Sequence, residues 1–421
     1  MQEIVHKSLN PNKAMGLDHI SPRDLKLCES SVVQGLFEIC TKSRADCQFP
    51  SSWKKSQVTA VFKKGNRLDV NNYRPISFLS VPSKILERVV CRSFDNHLTT
   101  YNLLSDRQWG FRKGHSTESL LLHLTEVWKE ALDDGLKVGV LFIDFRKAFD
   151  CVDHVILGEK LKALGVSEDM WIWLMDYLAN RSQLTQKDGA SSESKPVKIG
   201  VPQSSLLGPR LFITYVNDLP DSIRSGEVYM YADDTTIYTI GNTTDEVAIA
   251  LQVILDQLQN WCHKNSLIIH EGKCDAVLLD TKPFIGPLKP LVWGDKTIEY
   301  RSLSVCLGIA IDERLSWANN VKSVSTSYSS KVKMLRRISF LPKARLEIIY
   351  NKTVIPCVLY GMAVWGSCSD YFMKDLELIH LRAARLITQT TKRHGRRNSS
   401  HKCKLDAIEI FLLLSYSKYN A

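Results

Sequence analysis

The sequence predicts an α+β protein, and three observations point there. Short apolar runs of strand length alternate with helical periodicity through most of the chain. A strand, tight turn, strand pattern occupies Val228 to Ile240. After about residue 311 the pattern becomes helical and basic, with Lys322, Lys331, Lys333, Arg336 and Arg337. Mixed elements first and helices last describe an α+β core with a helical appendage.

The elements follow in order. Val32 to Thr41 carries a short helical pattern, and Pro11, Gly16 and Pro22 punctuate the stretch before it. Gln57 to Phe62 reads as a strand, followed by a basic turn at Lys63-Lys64-Gly65-Asn66. Pro75 biases Arg74 toward extended backbone. Lys84 to Thr99 has Ile85, Leu86, Val89, Val90 and Phe94 at helical spacing. Leu120 to Leu132 is the clearest amphipathic helix, and Gly135 stands where it stops. Val138 to Ile143 is an apolar strand closed by Asp144. Asp153 is placed to cap a helix with Val155, Ile156, Leu161 and Leu164 on its core face. Asp245 to Asn265 is helical, and Ser266–Ile269 and Ala276–Leu279 are strand-like. The run from Lys392 to Lys404 is basic and reads as a tail.

The composition narrows the class. The chain has 421 residues, 44% of them hydrophobic, which at roughly 150 residues per domain means two or three units. The formal net charge of +10 favours a polyanionic partner. The eleven cysteines form no paired C-x-x-C array, and no apolar signal stretch opens the chain. A disulfide framework is therefore excluded and a reducing, intracellular setting is expected. No apolar run approaches the roughly 20 residues a bilayer requires, and Ile408 to Leu414 reads as a core segment.

Chemistry concentrates at acids. Asp144 closes an apolar strand, where an ionised carboxylate is costly unless paired. Asp233 and Asp234 sit side by side at the tip of the hairpin and repel one another. A divalent cation removes both penalties, and hard oxygen ligands of this kind suit Mg²⁺. Two ions about 3.5–4 Å apart would stabilise the attacking and leaving oxygens of an in-line phosphoryl transfer. Cys262, His263, His270 and Cys274 lack the usual spacing of a zinc site and read as incidental.

Seven segments then stand in order. They are Lys13 to Ile20; Asn72 to Ser77; Gln108 to Arg112 with Ser116-Thr117; Phe142 to His154; Gly200 to Gln203 with Leu207 to Pro209; Tyr231 to Asp234; and Cys306 to Ile309 with Leu315 to Trp317. Together they resemble the reverse transcriptase of non-LTR retrotransposons of the jockey-like and chicken-repeat-like type, over about Lys13 to Arg385. The resemblance implies a right-hand polymerase, with an N-terminal extension at 1–56, fingers and palm at 57–311 and a helical thumb with a basic C-terminal region at 312–421. It implies two Mg²⁺ ions, with Mn²⁺ able to substitute, held by Asp144, Asp233, Asp234 and the carbonyl of Phe145.

Further roles follow from the same resemblance. Lys63 or Lys64, and Arg74, would grip the triphosphate, Arg bidentately and Lys as a point charge. Phe149 would lie under the nucleotide sugar and exclude a 2′-hydroxyl. Gln203 would touch nucleotide and template. Lys273 would protonate the leaving pyrophosphate. Gln108, Gly110, Phe111, Arg112, Pro202 and Ser204 would form the template path. The implied partners are an RNA template, a DNA primer and deoxynucleoside triphosphates, in nucleus and cytoplasm, with no membrane.

The sequence departs from the family at Ser204, where glycine is usual; if that position needs positive φ, the change costs roughly 1–2 kcal/mol. Arg210 replaces a usual apolar residue and His270 a usual Asn. A relic that binds nucleic acid without catalysis is therefore the alternative reading. Ala232 before the acid pair, where other right-hand polymerases carry Gly, argues against a viral RNA-copying enzyme or a maturase. Nothing of endonuclease size precedes Met1, so the expectation is that target nicking comes in trans.

Overall fold

The computed structural model describes residues 3–5, 9–27, 29–63, 65–187, 189–282 and 288–389. Lys64, the basic run 392–404 and the segment 408–414 lie outside the described residues. The α+β class expected from the sequence is what the structure shows. The chain divides into two compact units.

The first unit comprises Met1–Lys113, Asp144–Thr235 and Ile254–His270. Its sheet runs in the order Tyr73–Phe78, Lys55–Phe62, Arg181–Lys187, Ala190–Ser191, with Lys195–Val197 also paired to Arg181–Lys187. Lys55–Phe62 and Tyr73–Phe78 form an antiparallel hairpin whose register places Phe62 opposite Tyr73. The Arg67 guanidinium lies 5.2 Å above the Phe62 ring at the hairpin's loop. Helices pack beside this sheet. Val81–Thr100 starts at Ser80, whose hydroxyl accepts from the Ser83 nitrogen, and buries Ile85, Leu86 and Phe94. Gly16 is part of the same joint: a side chain there would sit 2.7 Å from the Ser80 nitrogen. Asp153 caps His154–Ala163 as expected, accepting from Val155 and Ile156 nitrogens at 2.8 and 3.1 Å. That helix, however, buries Leu157, Gly158 and Leu161 and leaves Val155 70% exposed.

The second unit comprises Gly114–Ile143, Thr236–Val253 and Glu271–Ala421. Lys137–Ile143 pairs antiparallel with Asp275–Leu279, Val138 opposite Leu279 and Phe142 opposite Asp275. The amphipathic helix Thr117–Asp133 begins at a capping box in which Ser116 and Ser119 satisfy each other's backbone nitrogens at 3.0 and 2.9 Å. Cys306 to Ile309 is a two-residue hairpin turn with Leu307 at φ 45° and Gly308 at φ 84°, both left-handed. The helices Ala318–Arg337 and Asp370–Thr388 bury Tyr328, Leu335, Leu376 and Ala384.

Ser266–Ile269 does not form a strand; only Ile269 makes an isolated bridge, to Phe145. Leu267 and Ile269 are buried and Ile268 is exposed, and only six residues separate the helix Thr244–Lys264 from the 3₁₀ turn Glu271–Lys273. Among the described residues no helix is long and apolar enough to cross a membrane.

Candidate active site

The first acid stands at the end of a buried strand. Val138 to Ile143 are all buried, so the strand's exit is the first place an ionised group meets water. The Asp144 carbonyl accepts from the His270 nitrogen at 2.7 Å, and the Arg146 nitrogen donates to the Ile268 carbonyl at 2.7 Å. Phe145 is therefore the non-hydrogen-bonded member of its bridge to Ile269, and its own carbonyl points to the opposite edge. That leaves the Phe145 oxygen available as a ligand.

The second and third acids sit on a hairpin tip. Glu227–Tyr231 and Asp234–Gly241 are joined by Ala232 and Asp233 alone. Ala232 takes φ 59°, the left-handed region that L side chains avoid. Gln108 holds it there. The Gln108 side chain is fully buried, and its Oε1 accepts from the Ala232 nitrogen at 3.0 Å and the Gly110 nitrogen at 2.8 Å. Backbone bonds from Trp109 N to Met230 O (2.8 Å) and from Met230 N to Arg107 O (2.9 Å) complete the seam. A Cβ at Gly110 would overlap the Ala232 nitrogen, so only glycine permits this approach. Arg112 donates to the carbonyls of Ser105 and Gln108 at 2.7 and 3.2 Å. Of the segment 108–112, Phe111 alone offers a large exposed face.

The two hairpin acids are both raised above their ordinary range. Burial raises the Asp233 carboxyl, and Asp144 raises it further, against the pull of Arg74 and Lys63. Asp234 reaches solvent at one side, yet burial, Asp233 and Asp144 together push it up to about 6. Among the described residues no three His, Cys, Asp or Glu side chains form a group that could hold a metal ion, neither Asp144, Asp233 and Asp234 nor Cys262, His263, His270 and Cys274. The carboxylates of Asp144, Asp233 and Asp234 are hard oxygen donors, the kind a divalent cation takes when water and phosphate oxygens complete its shell. Lys63 and Arg74 are exposed and close enough to bear on Asp233.

The residues expected on the nucleotide side lie in the same unit. Phe149 stacks on Phe212 at 4.4 Å and meets Phe111 edge-on at 6.5 Å, leaving it half-buried. The loop that carries Pro202, Gln203 and Ser204 is stitched to it, with Val201 N donating to Phe149 O and Gly200 N to Val152 O, both at 2.8 Å. Gly200 is left-handed, and a Cβ there would lie 2.8 Å from the Asp150 carbonyl. Ser204 takes φ 67°, so the position does require the conformation glycine supplies. Arg210 is accommodated by a bidentate pair with Asp95, at 2.5 and 2.7 Å.

Two residues that pattern reasoning missed belong to this site. Glu87, fully buried, accepts from the Leu206 and Leu207 nitrogens at 2.6 and 3.4 Å and so caps the helix Leu207–Tyr215. Its only signal was an acid on an otherwise apolar helix face. Asp150 accepts from Gln203 Nε2 at 2.8 Å, and it lay inside a quoted segment without a role. Lys273 is exposed in the 3₁₀ turn Glu271–Lys273 of the second unit.

The family described as reverse transcriptase (RNA-dependent DNA polymerase) matches residues 61–332, more than half of the chain. The chain belongs to the reverse transcriptase family. Membership brings the right-hand polymerase fold with it. Three Drosophila melanogaster proteins are among its relatives. The chain is 29% identical over 402 residues to a probable RNA-directed DNA polymerase from transposon BS, covering 92% of this chain and 44% of that protein. It is 27% identical over 391 residues to the RNA-directed DNA polymerase from mobile element jockey, covering 89% and 42%. It is 28% identical over 395 residues to a probable RNA-directed DNA polymerase from transposon X-element, covering 92% and 43%. The chain thus spans less than half the length of these relatives. A solved structure of apo telomerase from Candida tropicalis matches 67% of this chain and 58% of its own, at 12% identity and a TM-score of 0.43. The non-LTR retrotransposon kinship expected from the motifs is what these relatives show, and a dead relic is not favoured.

Proposed function

We propose that this chain is the polymerase of a non-LTR retrotransposon, copying an RNA template into DNA from a DNA primer and deoxynucleoside triphosphates. The single observation that carries this is that Asp144, at the end of its strand, lies near enough to the hairpin tip to bear on both Asp233 and Asp234. Asp144, Asp233, Asp234 and the Phe145 carbonyl would hold two Mg²⁺ ions, for which Mn²⁺ can substitute. When bound, these supply charge neutralisation at the attacking and leaving oxygens of phosphoryl transfer.

The chain's own residues do the rest. Lys63 and Arg74, with Lys64, bind the triphosphate from the hairpin Lys55–Phe78. Phe149, backed by Phe212, closes the space over which a 2′-hydroxyl would project. Gln203 contacts the nucleotide or template, and Pro202, Ser204, Phe111 and Arg112 line the template path. Gln108 and Gly110 serve that path by holding the turn beneath it. Lys273 is the candidate proton donor to pyrophosphate. Residues 57–311 would form fingers and palm, and 312–421 a thumb whose exposed basic residues grip the duplex, with binding that weakens steeply with salt. A nuclear and cytoplasmic itinerary belongs to the same reading.

The test is primer extension on an RNA template with deoxynucleotides and Mg²⁺. Asp233→Asn is expected to lower the rate by at least about 10³-fold with an unchanged circular dichroism spectrum. A mutant that retains activity removes the metal assignment and the polymerase reading with it.

A further inference from the structure

Gln203 faces a cleft of about 410 Å³ that Lys147, Asp150, Arg181, Gln183 and Pro202 also line. A glutamine amide is two-fold ambiguous: rotation about its last torsion exchanges a donor for an acceptor at nearly no steric difference. A site that must read one hydrogen-bonding sense has to break that degeneracy.

Asp150 can do so. It ends the 3₁₀ turn Ala148–Asp150, directly after Phe149, and Gln203 Nε2 donates to its Oδ1 at 2.8 Å. An ionised carboxylate only accepts, so the amide nitrogen must face it and Oε1 must face away. Neither partner is free to drift. The Asp150 nitrogen donates to the Lys147 carbonyl at 2.8 Å, and the Gln203 loop is fixed by the Phe149–Val201 and Val152–Gly200 backbone bonds. The His154 ring nitrogen lies 2.8 Å from the Gly200 carbonyl, bracing the loop from its other side.

We infer that Asp150 is a positioning residue that locks the Gln203 amide, so that Gln203 Oε1 is presented as the acceptor for a hydroxyl group on the incoming nucleotide's sugar or on the template's. The inference rests on the polymerase reading. It differs from the role of Gln203 itself, because Asp150 acts through the Gln203 amide.

The experiment uses Asp150→Asn and the charge-conserving swap Asp150→Asn with Gln203→Glu. In the single variant two amides face each other and no orientation is specified. In the swap the amide introduced at position 150 donates to the carboxylate introduced at position 203. That restores the bond with reversed polarity and leaves a carboxylate oxygen as the outward acceptor. Steady-state primer extension is measured on RNA and DNA templates of one sequence. The single variant should raise KM for deoxynucleotide about tenfold, with a smaller change in kcat and an unchanged melting temperature. The swap should return KM to within about threefold of wild type. A rise on both templates assigns the hydroxyl to the nucleotide, and a rise on RNA alone assigns it to the template's 2′-hydroxyl. An unchanged KM in the single variant, or an equal rise in single variant and swap, overturns the inference. The Gln203 side-chain amide signal in protein labelled with ¹⁵N-glutamine separates this from failure of the polymerase reading. If wild type extends no primer, that reading falls alone provided the signal moves in Asp150→Asn, and a signal that stays in place sinks the locking of the amide as well.

Discussion

Two loops of the first unit each force a non-glycine residue into the left-handed region, and they manage it differently. At the acid hairpin, Ala232 (φ 59°) is buried and its nitrogen is held by a fully buried Gln108. At the loop that carries Gln203, Ser204 (φ 67°) is exposed, and the loop is held by Asp150 on Gln203, by Glu87 on Leu206 and by Ser205, whose nitrogen and hydroxyl both donate to the Pro202 carbonyl. Left-handed backbone for an L residue costs of order 1–2 kcal/mol and persists where the surroundings over-determine it. The hairpin is over-determined from inside. The Gln203 loop is bridged across its exposed tip by Ser205 on Pro202. Strain at the first loop fixes where two acids point, while strain at the second is left by a residue change and serves nothing visible in the structure.

The largest effect separating the loops should come from Gln108→Ala. It orphans the Gly110 and Ala232 nitrogens together, and a loss of about 2–4 kcal/mol in urea unfolding is expected. Should the loss stay below about 1 kcal/mol, the hairpin is no better determined than the Gln203 loop. Next comes Ser204→Gly, expected to stabilise by up to about 1 kcal/mol in the same assay and to leave extension equal or faster. A destabilising result would mean that the serine side chain holds the loop after all.

The smallest effect is a pH dependence at the flank. Burial raises the Glu87 carboxyl above its ordinary range, ahead of the lowering pull of the Leu206 nitrogen and Arg181. A raised folded-state value means the unfolded chain gives up its proton first as pH climbs. The stability this group contributes is therefore present below about pH 4.5 and falls as pH rises toward the folded value. Glu87→Gln keeps an acceptor for the Leu206 nitrogen without that linkage. Its melting temperature relative to wild type should climb with pH above about 4.5, whereas a constant difference would show Glu87 ionising as freely folded as unfolded.

Much of the fold was legible because its signals are local. The amphipathic stripe of Thr117–Asp133, the strand into Asp144, the cap at Asp153 and the acid hairpin each arise from residues within one element. Ser266–Ile269 misled because a short apolar run carries no information about its partner, and it meets Phe145 through a single isolated bridge at Ile269. Val155 misled because a face assigned from spacing alone has no fixed origin.

By itself the sequence determined the chemistry on offer: the identity of the three acids, their order, the basic hairpin ahead of them and the family to which these belong. Tertiary structure alone decided which polar groups work through others. Gln108 turned out to be buried beneath the acids, Glu87 to cap a helix more than a hundred residues away in the chain, and Asp150 to hold an amide from a different loop. Hydrogen bonds of that kind depend on the distance and direction between groups remote in sequence, and no periodicity along the chain encodes either one.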